Sequence, residues 1–312
     1  MRLFLFILMF MFSGTYKTEA SECPEIGLNI YQGSGQTDTI NLNYITDKNY
    51  VFPTLVAISS GIQNKNPNSK YHYYIIGVEL SDEEIKRFTA LEKKNVEITV
   101  VNQQNLWLNK EVYYKHRKVA RDFAMKADLF KFQIADIFPN IDKMLYMDGD
   151  TIVQKDLTEL FNTDISDVYA GAVKEISSDD RLAKSLNIPF YFNVGVMLLN
   201  LEKMRKDNIA EKLCENKFGQ KPSTRFMTQD TINKIFFGNY VLLPAKNNLL
   251  SAWFASYSKD QLFEYSDIDD KKYQTVDDYV NDATIIHFIM EKPWNDRTVP
   301  YGDIWWKYYM ND

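Results

Sequence analysis

Only two of the 312 residues are cysteine, Cys23 and Cys214. Two thiols cannot staple a small disulfide framework, so a hydrophobic core has to hold this chain together. They form either one disulfide in an oxidising compartment or two free thiols. Basic charge is not in surplus: the formal net charge is −6, spread along the chain rather than gathered in a tail. Binding a phosphate backbone needs a basic surface, so nucleic acid is not an expected partner. Beyond the N-terminus no apolar run approaches the roughly eighteen residues of a membrane-spanning helix. Internal repeats and low-complexity linkers are also missing, which favours one domain. What remains is 45% hydrophobic and 14% aromatic, ample for a large core and too rich for disorder.

The N-terminus stands apart. Arg2 precedes an unbroken apolar run from Leu3 to Phe12, and polar residues follow from Ser13. Such a run makes a helix about 15 Å long, half of a bilayer core of about 30 Å. Residues 1–20 therefore read as a signal peptide ending near Ala20; a membrane-surface anchor or a misplaced start codon are the alternatives. Residues 21–39 read as a loose leader, and residues 40–312 as the folded domain.

From Ile40 the pattern becomes regular. Strands are expected at Ile40–Thr46, Tyr71–Val78, Val96–Val101, Met144–Met147, Val168–Val173, Val194–Asn200, Val241–Leu243 and Thr284–Phe288. Helices are expected from Pro53, a residue suited to a first turn, to Gln63, then at Arg121–Phe138, Asp230–Phe237 and Tyr301–Met310. Ser81 with Glu84 fits a capping box opening a further helix that reaches Leu91. Strands alternating with helices over the first half signal an α/β fold with a mostly parallel sheet flanked by helices.

The segment Lys143-Met144-Leu145-Tyr146-Met147-Asp148-Gly149-Asp150-Thr151 carries the strongest chemistry. An apolar strand runs straight into two carboxylates separated by Gly149, which adds no bulk. Ligands of open α/β sheets bind beyond the carboxyl ends of strands. Two acids there can hold a hard divalent cation that bridges a diphosphate and stabilises a departing phosphate. An ordinary acidic turn is the plain alternative. The nucleophile strand of a haloacid-dehalogenase-type phosphatase is a sharper one, although such strands usually open their domain and at least three strand–helix units precede this one.

Four segments, in order, resemble family 8 of the retaining glycosyltransferases. They are Ile45-Thr46-Asp47-Lys48-Asn49-Tyr50, then Leu145 to Asp150, then Phe192-Asn193-Val194-Gly195 running on to Leu201, and finally His287-Phe288 with Lys292-Pro293-Trp294. The resemblance spans about Asn41 to Trp306 and implies a GT-A fold, the fold of nucleotide-diphospho-sugar transferases. It implies that Asp47 and Asn49 hold the uracil and ribose of a UDP-sugar. It makes Asp148, Asp150 and His287 the ligands of Mn²⁺ or another divalent cation, a donor set that suits manganese. Lys292 is expected at the donor phosphates, and Pro293-Trp294 is expected to fix the chain.

Lys131, seventeen residues before Asp148, stands where the family has an arginine that contacts the donor; a surface lysine is the alternative. Asn193 is expected at the donor sugar. Gln229-Asp230 resembles the family's Asp-Gln-Asp helix start, which puts Gln229 on the sugar face opposite the leaving group. A neutral amide is a poor nucleophile, so Gln229 is expected to support an oxocarbenium-like centre rather than attack it. Gln229 and Asn193 are thus the expected catalytic residues, with Thr228 as a helix cap the competing reading of that turn. The acceptor is a carbohydrate or another hydroxyl compound. Aromatic residues between Ala245 and Asp282 (Trp253, Phe254, Tyr257, Phe263, Tyr265) either stack on its sugars or belong to the core.

Three departures from the family pattern stand out. Thr228 replaces an acid, Lys131 replaces an arginine, and Met290 replaces a glycine three residues after His287 in a His-to-Lys spacing shortened by one. A side chain at Met290 is expected to crowd the diphosphate, so a binding-only relative of the enzyme is the alternative function. The signal peptide favours the lumen of a secretory pathway, with a cytoplasmic or membrane-associated enzyme as the other option. A homo-oligomer is compatible with the sequence.

Overall fold

The computed structural model describes residues 28–33, 35, 38–103, 127–175, 181–219, 227–266 and 272–309. The signal-peptide reading, most of the leader and Cys23 lie outside them, while Cys214 is buried. Among the described residues no helix is long and apolar enough to cross a membrane.

Strands β1 (Thr39–Asp47), β2 (Lys70–Val78), β3 (Val96–Gln103), β4 (Lys143–Met147), β6 (Ala170–Lys174), β7 (Phe192–Asn200) and β8 (Tyr240–Leu242) form one sheet in the order β3-β2-β1-β4-β7-β6-β8. Strands β5 (Thr151–Val153), β9 (Leu249–Leu250) and β10 (Ile285–His287) form a second, in the order β5-β10-β9. The large sheet is mostly parallel; only β7 runs against its neighbours β4 and β6. All nine residues of β1 and eight of the nine in β7 are buried. A strand covered on both faces needs a near-continuous apolar run, which is how these segments read. One face packs on helix Val51–Asn64 through Val56, Ile58 and Ile62. The other packs on helices Leu201–Lys206, Ile209–Gly219 and Met227–Ile235 through Met204, Leu213 and Ile232.

The expected strands are all present, with ends moved by one or two residues. The capping box is formed: Ser81 N–H donates to Glu84 Oε2 at 2.7 Å and Glu84 N–H to Ser81 Oγ at 3.3 Å. That helix, Asp82–Thr89, stops before Leu91, which lies in the turn into β3. The C-terminal helix is confined to Gly302–Lys307. In the expected helix Arg121–Phe138, residues 121–126 are outside the description, and the rest is not one helix. A 3₁₀ turn, Leu129–Phe132, is followed after Gln133 by a short helix, Ile134–Ile137. The tighter winding eclipses side chains three apart. That brings Lys131 Nζ to 2.6 Å from Asp128 Oδ1.

Candidate active site

The carboxyl ends of β1 and β4 lie at one edge of the sheet, because these strands are parallel. Asp47 ends the first, and Asp148-Gly149-Asp150 follows the second. Strand β7 runs the opposite way, so its start meets the end of β4, and Asp148 N–H donates to Gly195 O at 2.7 Å. The small sheet closes the other side: His287 pairs with Thr151, and Phe288 N–H donates to Asp150 O at 2.9 Å. The result is a cleft of about 570 Å³ lined by Asp47, Lys131, Asp148, Gly149, Asp150, Asn193, Gln229, His287 and Lys292.

One oxygen each of Asp148 and Asp150 and a ring nitrogen of His287 lie within 4.8 Å of one another. His287 Nε2 is 3.1 Å from Asp150 Oδ1 and 3.7 Å from Asp148 Oδ2. Asp150 Oδ1 is buried and makes no hydrogen bond. A buried carboxylate oxygen without a donor is costly unless something else satisfies it. A divalent cation does so, and two carboxylates with an imidazole are a donor set it accepts.

The charges around this triad are built in. Lys292 Nζ donates to Asp150 Oδ2 at 2.5 Å and to Phe288 O at 2.7 Å. Burial alone pushes the Asp150 carboxyl up, but the Lys292 ammonium and then His287 more than offset it and hold it well below the usual carboxylate range. On the other side Lys131 is buried and 3.1 Å from Asp148 Oδ1. Burial opposes its charge, yet Asp128 and Asp148 together hold its ammonium above the ordinary lysine range. The Tyr146 hydroxyl, raised by burial and then by Asp148, donates to Asp148 Oδ1. Lys131 is therefore a site residue and not a surface one.

Asp47 Oδ1 accepts from the backbone N–H of Asn49 at 2.9 Å and of Tyr50 at 3.2 Å, where helix Val51–Asn64 begins. Asn49 is exposed, outside the lining of the cleft. Gly149 is demanded by space: a Cβ there would lie 2.4 Å from Thr54 Oγ1. Gln229 sits in the first turn of helix Met227–Ile235, and its Oε1 accepts from Val194 N–H at 3.1 Å. Asp230 is not a lining residue; its Oδ1 accepts from the Tyr191 hydroxyl at 2.5 Å, deep in the fold. Thr228 is inside the helix and its hydroxyl donates to Asp128, so the capping alternative is not realised.

Met290 does not fill the cleft. Its φ of 62° is the left-handed conformation that favours glycine, and its side chain is 78% exposed at the rim. The expected crowding is thereby relieved, and the shortened spacing still lets Lys292 reach Asp150. Trp294 packs edge-on against Tyr50 and 5.1 Å from Trp305, while Trp306 Nε1 donates to Pro293 O, so Pro293-Trp294 does fix the chain. Trp253 and Phe263 belong to the core and are unavailable for stacking on sugars; the Tyr265 side chain lies outside the description.

One residue lining the cleft, Asp128, carries no sequence signal of its own. Asp128 lies one 3₁₀ turn before Lys131, and only that turn reveals it.

Residues 41–298 match the sequence model of glycosyl transferase family 8. A lipopolysaccharide 1,2-glucosyltransferase of Escherichia coli is 25% identical over 281 residues, which are 84% of this chain and 75% of that protein. General stress protein A of Bacillus subtilis is 29% identical over 205 residues, 62% of this chain and 68% of that one. Among solved structures, the galactosyltransferase LgtC with donor and acceptor sugar analogs superposes with a TM-score of 0.68 at 20% identity, covering 86% of this chain and 95% of that one. This last likeness establishes the GT-A fold.

Proposed function

Because the chain belongs to glycosyl transferase family 8, we propose that it is a retaining glycosyltransferase moving a hexosyl or pentosyl group from a UDP-sugar to a hydroxyl acceptor, with a divalent cation such as Mn²⁺. The observation that carries this reading is the hydrogen-bond-free, buried Oδ1 of Asp150 facing His287 Nε2 beside Asp148. A cation held by these three residues would supply positive charge to a departing diphosphate.

The chain's own residues do the rest. Asp47 at the end of β1 holds the nucleoside, with the exposed Asn49 two residues on as its second contact. Lys292 reaches the diphosphate as a point charge on a flexible stem, a role its stem length allows from Phe288 O inward. Gln229, oriented by Val194 N–H, offers a carbonyl oxygen with a free lone pair to the sugar carbon as positive charge develops there. Asn193 and Lys131 bound the sugar. The bond from the sugar carbon to the β-phosphate oxygen breaks, and the electron pair leaves with UDP. The acceptor oxygen bonds to that carbon on the same face, and its proton passes to the departing phosphate oxygen. The binding-only alternative drew on Met290, whose exposed side chain removes that ground, and family membership displaces the phosphatase reading.

The test is UDP release from a panel of UDP-sugars, with Mn²⁺ and with chelator, on residues 21–312. One sugar should give cation-dependent release, and Asp150→Ala should lower it by on the order of 10³-fold, several kcal/mol of lost charge stabilisation. Undiminished release by Asp150→Ala would refute the site.

A further inference from the structure

Two buried side chains, Asn193 and Asn248, link His287 to Glu175 in one chain of hydrogen bonds, and a backbone group fixes its direction. Gly195 N–H donates to an oxygen of Asn193 at 2.8 Å, so that end of the Asn193 amide is Oδ1. Asn248 meets the same oxygen at 3.0 Å, and only its Nδ2 can donate there. Its Oδ1 therefore faces His287 Nδ1, 3.1 Å away. A carbonyl oxygen only accepts, so the proton sits on Nδ1. Nε2, the nitrogen on the opposite side of the ring, is aimed between Asp150 Oδ1 and Asp148 Oδ2. The far end is anchored too: Asn193 Nδ2 donates to Glu175 Oε2 at 2.9 Å. Flipping either amide would set oxygen against oxygen or N–H against N–H. Asn248 and His287 are at most 2% exposed, so water does not readily replace a lost partner.

We infer that Asn248, oriented by Asn193 and Gly195 N–H, is a positioning residue that locks His287 as its Nδ1–H tautomer and so presents Nε2 to the divalent cation. This rests on the proposed cation site and extends it to Asn248, which is not among the residues lining the cleft. It also gives Asn193 a second duty: both its oxygen and its nitrogen are engaged within the protein. The locking residue and the ligand come from adjacent strands, since Asn248 immediately precedes β9 and His287 ends β10. Ring orientation and tautomer are therefore set together.

The experiment is long-range ¹H–¹⁵N correlation of the imidazoles in the cation-free protein at alkaline pH, where the rings are neutral, alongside Mn²⁺ titration followed by electron paramagnetic resonance. The chain has three histidines (His72, His116 and His287), so His287→Gln assigns the signal. The wild type should show His287 as the Nδ1–H tautomer. Asn248→Ala should give a mixture of tautomers and weaken Mn²⁺ binding about 10–100-fold, the usual cost of losing an outer-shell partner of a metal ligand. Asn248→Asp keeps an acceptor at Nδ1 and should retain the tautomer, although its second oxygen meets Asn193 Oδ1 where Asn248 donates. An Nε2–H tautomer in the wild type overturns the inference, whether or not any variant folds. So does an Asn248→Ala protein with unchanged tautomer and unchanged Mn²⁺ affinity. A wild type that shows the Nδ1–H tautomer but binds no Mn²⁺ would instead refute the proposed cation dependence, with the tautomer lock upheld.

Discussion

Lys292 has two electrostatic partners in prospect, and only one of them is present in the chain itself. Its ammonium sits 2.5 Å from Asp150 Oδ2, where it offsets the charge of a buried carboxylate. The same carboxylate is proposed as a cation ligand, so lysine and cation compete for it, and a bound diphosphate offers the lysine a new place. Replacing Lys292 by Met separates these roles. Without nucleotide, Lys292→Met leaves Asp150 with less compensation, so the cation-free protein should lose about 3–5 kcal/mol, the typical cost of breaking a buried pair. Thermal unfolding with chelator measures that loss. Mn²⁺ binding alone should be at least as tight as in the wild type, because the competitor is gone. UDP release should nevertheless fall by about 10² or more, since the charge facing the leaving group is lost. Weaker Mn²⁺ binding with unchanged turnover would reverse both assignments. Residues such as Lys292, Asp148 and His287 were legible in the sequence because each belongs to a recognisable motif, Lys292 through Lys292-Pro293-Trp294. Asp128 and Asn248 were not, because what places them is a 3₁₀ turn and a two-residue strand, neither of which leaves a periodic pattern.

Strand β7 shows how one element builds the site. Its first residues, Phe192-Asn193-Val194-Gly195, read as a motif, and the structure gives each polar or small position a job. Val194 N–H orients Gln229, Gly195 N–H orients Asn193, and Gly195 O receives Asp148 N–H. The missing side chain at position 195 matters most. A Cβ there would come within 2.1 Å of His287 Cε1 and 2.7 Å of Asp148 Oδ2, so both ligands occupy space that any other residue would fill. Gly195→Ala should therefore displace His287 and Asp148. We expect Mn²⁺ affinity to fall by roughly 10²-fold with a stability loss of about 1–3 kcal/mol, the common cost of overpacking. Mn²⁺ titration and denaturant unfolding measure the two quantities. A stability loss with Mn²⁺ affinity intact would mean the strand can shift while the ligands stay. The strand itself was readable from its apolar run, whereas the helix expected at Arg121–Phe138 was not resolved into its turns. Apolar spacing does not separate a 3₁₀ turn from an α-helical one over four residues, and burial of Lys131 runs against the usual polarity pattern.

At the scale of the molecule, the proposed cation ligands tie two sheets together. Asp148 follows β4 of the large sheet, while Asp150 precedes β5 and His287 ends β10 of the small one. The small sheet has no motif beyond His287 and three strands of two or three residues each, so its existence was not deducible from periodicity, although the order of the large sheet's helices and strands was. A cation at this junction binds the folded chain and not the unfolded one, in which His287 is far along the chain from Asp148 and Asp150. It must therefore stabilise the fold by mass action, about 2.7 kcal/mol at a hundredfold excess over its dissociation constant. Unfolding entropy of about 2.1 cal/mol/K per residue makes that about 4 °C in midpoint for a chain of this length. Mn²⁺ should raise the unfolding midpoint of the wild type by this amount, chelator should reverse it, and Asp150→Ala should abolish it. Lys292→Met, starting from a less stable cation-free state, should show a larger shift than the wild type. Equal shifts in the wild type and Asp150→Ala would mean that the cation acts elsewhere.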